Sequence, residues 1–467
     1  MTHAEALSLL QSHGQSHLLR FWNELDDASS AALLADIESI DFELVATLHK
    51  SLVTGETQPE PAEGDEAHHA AVTPLRGRNP DQAERTRLEA DGMAALARGT
   101  CAAFLVAGGQ GTRLGHDGPK GMFDIGLPSG KSLFQLQAER LRRLGDLCGR
   151  SVPWYIMTSR ENHAATTGFF AEHDHFGLNP GDVMFFPQAE FPITGDDGRI
   201  LLADKGRVAM GPNGNGGCFP ALKSSGALRD MRARGVEWVF TYSVDNALVR
   251  VCDPTFLGFA RASNLPAASK AVPKASPQER VGVFCRRDGK PSVIEYSEMS
   301  ADLCAATDES DGGLLYGAAN IAVHLFSRAF LEKHAAAALP WHVAHKKIPH
   351  VDEDGALVTP EAPNAHKFEL FMFDLFPMAP DMAVLEVERA AEFAPVKNKT
   401  GEGVADSPAT ARALITGLHR RWAEAAGVSD SLLAGREVEV SPLTSYAGEG
   451  LTAASFHADP ERPLLTA

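Results

Sequence analysis

The sequence predicts an α/β protein built on a parallel or mixed sheet with helices on both faces. Strand-like and helix-like segments alternate through the middle of the chain. The apolar run Phe104-Leu105-Val106 passes straight into Ala107-Gly108-Gly109-Gln110-Gly111-Thr112-Arg113-Leu114-Gly115, and Val236 to Val244, rich in β-branched and aromatic residues, ends on Asp245. Ligands of such sheets gather beyond the carboxyl ends of the strands, where both the glycine turn and Asp245 fall.

Taken in order, the residues up to about 53 read as helical, with one apolar stripe at Leu18, Phe21, Trp22 and Leu25 and another at Leu33, Leu34, Ile37 and Ile40. From Thr54 to Pro80 the composition turns to Pro, Gly, Glu and His, which predicts a loop or linker. Asp81 followed by Glu84 marks a helix start, with Asp81 capping and the helix running to about Arg98. Past the glycine turn, Phe134, Ala138, Leu141 and Leu144 recur at helical spacing. Val152 to Met157 and Val183 to Phe186 read as strands, Leu222 to Arg234 as one helix, and Ser292-Val293-Ile294 as a strand. Residues from 396 onward form a smaller, separate-looking segment, and no internal repeat is visible.

A chain of 467 residues has room for two or three domains. Its 43 basic against 61 acidic residues give a net charge of −18, which argues against a nucleic-acid or anionic-membrane surface. A polyanionic ligand would have to meet locally gathered cations or a metal. The six cysteines, at 101, 148, 218, 252, 285 and 304, show no C-x-x-C spacing and read as buried free thiols of a reducing cytosol. The N-terminus lacks the basic-then-apolar pattern of a signal peptide. The most apolar region, Leu370 to Val387, is broken by Asp374, Pro377, Pro380 and Asp381, so the expected location is cytoplasmic.

Glycines in the 107–115 turn let a ligand approach exposed N–H groups. Two familiar nucleotide motifs do not fit. Gly109, Gly111 and Gly115 space as G-x-G-x-x-x-G, one residue longer than the dinucleotide fingerprint, and Gly126 to Ser132 is one residue short of a P-loop. A plain tight βα connection is the alternative; Arg113 and Pro119-Lys120 favour phosphate binding. Asn213-Gly214-Asn215-Gly216-Gly217 either presents amides to a polar ligand or is an ordinary loop. Asp245 either holds Mg²⁺ against a triphosphate or caps the next turn. Glu295, in Glu295-Tyr296-Ser297-Glu298, either accepts sugar hydroxyls or marks a solvated strand end, and Lys397 on its own reads as a surface lysine. His342, His345 and His350 look like a metal cluster, but Lys346 and Lys347 disfavour a dication, so a basic solvated segment is expected. His68-His69 read as solvent-exposed, and no G-x-S-x-G elbow occurs.

Together these segments resemble the UDP-sugar pyrophosphorylases, and within them the UDP-N-acetylhexosamine pyrophosphorylase branch. The likeness rests on residues 107–115 with Pro119-Lys120-Gly121-Met122, then Gly214-Asn215-Gly216-Gly217, Val244-Asp245-Asn246 and Glu295-Tyr296-Ser297-Glu298. It continues in Ala319-Asn320-Ile321-Ala322, Lys346-Lys347-Ile348-Pro349, Val396-Lys397-Asn398 and the stretch from Ser441 to Gly450, and reaches back to His17 through Leu25. Each motif is moderate alone; the ordered set is specific and spans almost the whole chain.

The resemblance implies a Rossmann-like nucleotidyltransferase fold in three parts: an N-terminal helical segment with linker (1–98), a central domain (99–395) and a small C-terminal domain (396–467). It implies UTP plus N-acetylglucosamine 1-phosphate giving UDP-N-acetylglucosamine and pyrophosphate, with Mg²⁺ as cofactor. By similarity, Ala107, Gly108, Gly109, Gln188 and Gly214 would hold the uridine. Arg113 and Lys120 would grip the triphosphate and Asp245 the Mg²⁺. Asn215, Glu295, Tyr296 and Asn320 would meet the sugar, while Lys367 and Lys397 would contact phosphates. The implied partners are these small molecules only, with no nucleic acid or membrane, and a monomer is a plausible state.

Two departures bear on the sugar. Asn213 stands where the family often has an acid, and Gly317-Ala318-Ala319-Asn320-Ile321 where N-A-G-N-I is familiar. Smaller groups there leave glucose 1-phosphate and N-acetylgalactosamine 1-phosphate open as substrates, or a broad UDP-sugar pyrophosphorylase. N-acetylglucosamine 1-phosphate is preferred because Gln110 to Gly115 lacks the L-G-T-x-M-G of the UDP-glucose branch. A non-catalytic sugar-nucleotide-binding protein is the alternative of another class, against which the intact Arg113, Lys120, Asp245 and Lys397 speak.

Overall fold

The computed structural model describes residues 1–55, 72–310 and 312–467. Most of the linker expected over 54–80, with His68 and His69, lies outside them. The chain packs as two compact units, each discontinuous in sequence: Met1–Ala70, Gln188–Cys218 and Ala338–Asp374 in one, Ala71–Pro187, Phe219–Ala337 and Leu375–Ala467 in the other.

The first, helical unit opens with α1 (His3–Ser12), α2 (Asp27–Glu38) and α3 (Phe42–Leu48), capped by the side chains of Thr2, Asp26 and Asp41. Leu18, Phe21, Leu33, Ile37 and Ile40 are buried as their stripes predict, against Phe191, Ile200, Leu202, Val208 and Phe368. The Leu18–Leu25 stretch is not an α-helix, however, but two single turns of 3₁₀ helix, Ser16–Leu19 and Trp22–Glu24. Buried Asp36 is held by a bidentate contact from Arg207, at 2.8 and 3.2 Å. A small antiparallel sheet in this unit orders the strands Trp341–Lys346, Ala365–Leu370 and Thr194–Gly195.

The second unit carries a ten-stranded mixed sheet. Its strands are β1 (Val72–Pro74), β2 (Cys101–Val106), β3 (Trp154–Thr158), β4 (Val183–Pro187), β5 (Trp238–Ser243), β6 (Ala267–Pro273), β7 (Val283–Arg287), β8 (Lys290–Ile294), β9 (Ala318–Ser327) and β10 (Ala383–Glu386). The main order is β1-β7-β9-β5-β2-β3-β4, with β8 beside β7 and β6 pairing β9 and β10. β5, β2, β3 and β4 run parallel, and β9 is antiparallel to β5. β2, β3 and β5 are almost wholly buried, as apolar runs covered on both faces should be, whereas β4 at the end of the order buries only Phe186 fully.

The principal helices of this unit are α4 (Gln82–Ala97), α5 (Leu133–Cys148), α6 (Arg160–Glu172), α7 (Ala227–Ala233), α8 (Pro254–Ser263) and α9 (Pro408–Ala425). Asp81 caps α4 through the Glu84 N–H at 2.8 Å, but the Glu84 carboxylate turns to Arg78 and completes no capping box. α4 and α8 touch backbone to backbone: a Cβ on Gly92 would lie 1.8 Å from the Pro254 carbonyl oxygen, and one on Gly258 1.9 Å from that of Leu88. The single helix expected over Leu222–Arg234 is two, Cys218–Ser224 and α7, broken at Gly226 with φ +84°. Glycine there takes the left-handed conformation that ends the first helix. After α9 the chain builds its own small core from Ala423, Val428, Leu433, Val438, Val440, Phe456 and Leu465 around a three-stranded sheet. All six cysteines are free; four are buried and Cys148 and Cys304 partly so. Among the described residues no helix is long and apolar enough to cross a membrane.

Candidate active site

β2 ends in the glycine turn, and hydrogen bonding fixes its shape. The Ala107 N–H is spent inside the sheet on the Met157 carbonyl at 2.8 Å, leaving its carbonyl as the polar group it can offer. Gly111 N–H donates to the Gly118 carbonyl at 2.8 Å and Lys120 N–H to that of Gly109 at 3.1 Å, so the turn folds back on itself as a small ring. Asn162, buried at the start of α6, donates from Nδ2 to the carbonyls of Gly108 and Gly109 at 3.0 and 3.1 Å. With those carbonyls held, the N–H groups of Gly108, Gly109 and Gln110 bond to no protein acceptor among the described residues. Nothing in the sequence around Asn162 announces this anchoring part.

Asp245 follows β5, the parallel neighbour of β2, so it stands beside the turn at the same end of the sheet. Its backbone carbonyl accepts from Val396 N–H at 2.9 Å, and Ala247 N–H donates to the Ala394 carbonyl at 3.0 Å. That antiparallel bridge carries Lys397 to the strand end. Buried Asn246 locks it: Nδ2 donates to the Glu392 carbonyl at 2.8 Å, and Oδ1 accepts from Ala394 N–H at 2.9 Å. Asn246 is a positioning residue that polarity alone could not reveal.

Lys120 joins these pieces. Burial lowers the pKa of its ammonium group from the ordinary lysine value; Asp245 opposes that shift, while Arg113 and Lys397 add to it. Four residues named from sequence are thus electrostatic neighbours, three cations against one carboxylate, in a protein whose net charge is −18. Arg113 is exposed and makes no ion pair among the described residues. Among the described residues Lys397 has one loose ion pair, Nζ to Asp406 at 3.8 Å, with both side chains well exposed. Lys399, overlooked in the sequence despite its i+2 spacing from Lys397, has Nζ 3.8 Å from where a Cβ on Gly115 would sit. Lys131, of the near-miss P-loop, is occupied by Glu139 at 2.6 Å.

Farther along the same sheet, Glu295 and Asn320 flank Gly282. A Cβ on Gly282 would lie 2.8 Å from Glu295 Oε1, and Asn320 N–H donates to the Gly282 carbonyl at 2.9 Å. Asn320 sits at a bulge, where its Oδ1 accepts from Ala322 N–H at 2.9 Å and Ala322 takes φ +54°, and its Nδ2 meets no acceptor among the described residues. Tyr296, in the turn after β8, is 45% exposed and makes no hydrogen bond among the described residues.

The remaining sequence-predicted residues belong to the helical unit. Gln188 is buried and is the first residue of this unit's second stretch of chain. Gly214 requires glycine twice over, since φ is +86° and a Cβ would lie 2.4 Å from the Leu370 carbonyl oxygen. Asn215 is exposed, with Oδ1 accepting from Met372 N–H at 2.8 Å. Asn213 is buried with its Oδ1 against Gly217, so the residue that departs from the family pattern fills a packed niche. Lys367 pairs with Glu369 at 2.9 Å. The expected solvated histidine segment is more structured than composition indicated: His342 bonds Asp374 at 2.8 Å and His345 bonds Asp196 at 2.9 Å.

Comparison with known proteins agrees with this architecture. Residues 63–416 match the UTP–glucose-1-phosphate uridylyltransferase family. The chain is 43% identical to the human UDP-N-acetylhexosamine pyrophosphorylase-like protein 1, covering 95% of this chain and 92% of that one. It is 39% identical to UDP-N-acetylglucosamine diphosphorylase 2 of Arabidopsis thaliana, covering 99% and 94%. Among solved structures, the inhibitor-bound uridine diphosphate N-acetylglucosamine pyrophosphorylase of Trypanosoma brucei superposes with a TM-score of 0.82 at 30% identity, over 100% of this chain and 98% of that one.

Proposed function

The chain belongs to the UTP–glucose-1-phosphate uridylyltransferase family, and from that premise we propose that it joins UTP to N-acetylglucosamine 1-phosphate, giving UDP-N-acetylglucosamine and pyrophosphate. The observation that carries the reading is the grouping of Asp245, Arg113 and Lys397 around Lys120 at the end of parallel strands.

The chemistry asks for little else. A sugar 1-phosphate is already an anion at neutral pH, so one of its oxygens attacks the α-phosphorus of UTP without a general base. The bond from the α-phosphorus to the bridging oxygen breaks, and pyrophosphate leaves with the electron pair. What the protein must supply is alignment of two anions and stabilisation of spread negative charge. Two like unit charges about 4 Å apart repel by about 4 kcal/mol at an effective dielectric of 20. Arg113, Lys120 and Lys397 are the groups proposed to offset this, with Gly108 and Gly109 N–H groups turned to the nucleotide. Glu295, Tyr296 and Asn320 are proposed sugar contacts. On the helical unit, Gln188 and Gly214 are assigned to uridine, Asn215 to the sugar and Lys367 to phosphate, on the family resemblance.

Asp245 suits Mg²⁺. It is a half-buried carboxylate that accepts no hydrogen bond on its side chain among the described residues, and Mg²⁺ takes one or two carboxylates together with phosphate oxygens. When bound there, the ion would neutralise charge on the phosphates.

Lys120 gives a pH signature. Because its pKa is lowered by burial, it loses its proton at lower pH than an ordinary lysine, and turnover should fall on the alkaline side as pH rises through that value. Lys120→Arg keeps the charge and should move the alkaline limb upward; an unchanged limb would remove Lys120 from the account.

The substrate assignment is tested by kcat/KM for pyrophosphate release from UTP with a panel of sugar 1-phosphates. N-acetylglucosamine 1-phosphate is expected to lead N-acetylgalactosamine and glucose 1-phosphates by tenfold or more, about 1.4 kcal/mol. A preference for glucose 1-phosphate would overturn it.

A further inference from the structure

Two histidines and an aspartate that nucleotidyl transfer leaves unused meet on one face of the small antiparallel sheet of the helical unit. His345 lies directly opposite His366 across the pair Trp341–Lys346 and Ala365–Leu370, and His366 in turn pairs with Thr194, two residues before Asp196. Directly opposed residues share a face, so the register alone sets the imidazoles side by side. Their rings stack with centroids 4.5 Å apart and planes 9° off parallel. Nε2 of His345 and Nε2 of His366 lie 2.9 and 3.1 Å from the same Oδ1 of Asp196. All three donor atoms fall within 4.8 Å of one another.

A tetrahedral ion with bonds of about 2.0–2.1 Å sets its donors about 3.3 Å apart. The two separations through Asp196 are within a few tenths of an ångström of that edge, so an ion could be seated by small side-chain rotations. Two imidazole nitrogens and one carboxylate oxygen suit Zn²⁺ and its borderline neighbours; Mg²⁺ prefers octahedral oxygen. Asp196 and His345 are 63% and 45% exposed while His366 is 13% exposed, so solvent can reach the ion and supply a fourth ligand. Behind His366, His49 packs edge-on at 5.9 Å, with Nδ1 3.4 Å from Thr194 Oγ1, restricting the inner ring.

We propose that Asp196, His345 and His366 form a binding site for a divalent transition-metal ion of the Zn²⁺ class, with solvent completing the coordination. The ion would tie three strands together, one of which carries Lys367 next to His366 on the strand's opposite face. The site does not depend on the nucleotidyl-transfer reading.

The test uses the untagged full chain, stripped with EDTA and exchanged into metal-free buffer. Zn²⁺ is titrated by calorimetry and Co²⁺ by visible absorption. One equivalent is expected to bind, with the intense Co²⁺ bands of a tetrahedral N/O site and a rise in thermal midpoint. His345→Ala, at an exposed strand position, and His366→Ala should each weaken binding by more than the roughly 10–100-fold that loss of an outer-shell partner costs. His342→Ala, whose imidazole serves Asp374, should leave it unchanged. Absence of stoichiometric binding in the wild type, an octahedral Co²⁺ spectrum, or full affinity in both His345→Ala and His366→Ala would overturn the proposal and leave a hydrogen-bonded trio.

Discussion

Lys120→Ala is expected to lower kcat about 10³-fold, or ~4 kcal/mol of transition-state stabilisation, while the protein stays folded. The size follows from where the ammonium group sits. It is partly buried, with the Asp245 carboxylate acting on it as counter-charge and Arg113 and Lys397 as like charges. A charge in such a setting acts on phosphate oxygens with far less screening than a surface lysine would. Folding should survive because the glycine turn uses the Lys120 backbone N–H, bonded to the Gly109 carbonyl at 3.1 Å, and not its side chain. Burial already penalises the charged form, so truncation costs little stability. Single-turnover pyrophosphate release, with circular dichroism and thermal midpoint as folding controls, checks the expectation. Lys120→Arg should retain substantially more activity than the alanine variant. A Lys120→Ala protein within tenfold of wild type would dismiss the lysine from the chemistry.

Lys270→Ala is expected to destabilise the protein by about 3–5 kcal/mol, the usual consequence of stranding a buried charge. Lys270, on β6, is 1% exposed and donates from Nζ to Asp253 at 2.6 Å and to Glu392. Arg250 completes the group, 3.7 Å from Asp253 and 3.9 Å from Glu392. Burial alone would raise the Asp253 pKa, but Arg250 and Lys270 outweigh it and hold the carboxyl below its ordinary value. Without Lys270, two buried carboxylates face one distant guanidinium. The damage should reach the candidate site, since the Glu392 carbonyl accepts from Asn246, whose amide also holds Ala394 and through it the approach to Lys397. Urea midpoints measure the effect. The combined Lys270→Met and Glu392→Gln variant should recover most of the loss, because it removes one charge of each sign and leaves Asp253 paired with Arg250. An alanine variant as stable as wild type would show that the network carries no such load.

Much of the second unit was legible because its strands follow simple rules. Fully covered parallel strands read as short apolar runs, and Phe104, Ile156 and Phe240 lie in them as expected. The helix start at Asp81 was legible, since a short acceptor ahead of an apolar period satisfies orphan N–H groups. The single helix expected over 222–234 failed at Gly226, because periodicity across thirteen residues ignores one left-handed glycine. The 3₁₀ turns at 16–24 failed for a related reason: an apolar stripe reports burial, and tertiary packing decided the winding.

At the site, Arg113, Lys120 and Asp245 could be named from sequence because cations and a carboxylate at loop positions stand out, whereas Lys397, a surface lysine on its own, was named through the family resemblance. Asn162 and Asn246 could not, since an asparagine that anchors backbone carbonyls or amides looks like any other turn residue. The histidine segment misled in a different way. His342, His345 and His350 are close in sequence, but alternate strand residues point to opposite faces, and His345 found its partner in His366, twenty-one positions away across the hairpin.

Transfer at the α-phosphorus is tested most directly by the fate of the UTP phosphates. Phosphorus NMR of the protein mixed with UTP, N-acetylglucosamine 1-phosphate and Mg²⁺ should show the diphosphate pair of UDP-N-acetylglucosamine and free pyrophosphate rising together in equal amounts. Release of orthophosphate or UMP alone, or no conversion with any sugar 1-phosphate while UTP still binds, would contradict transfer at the α-phosphorus.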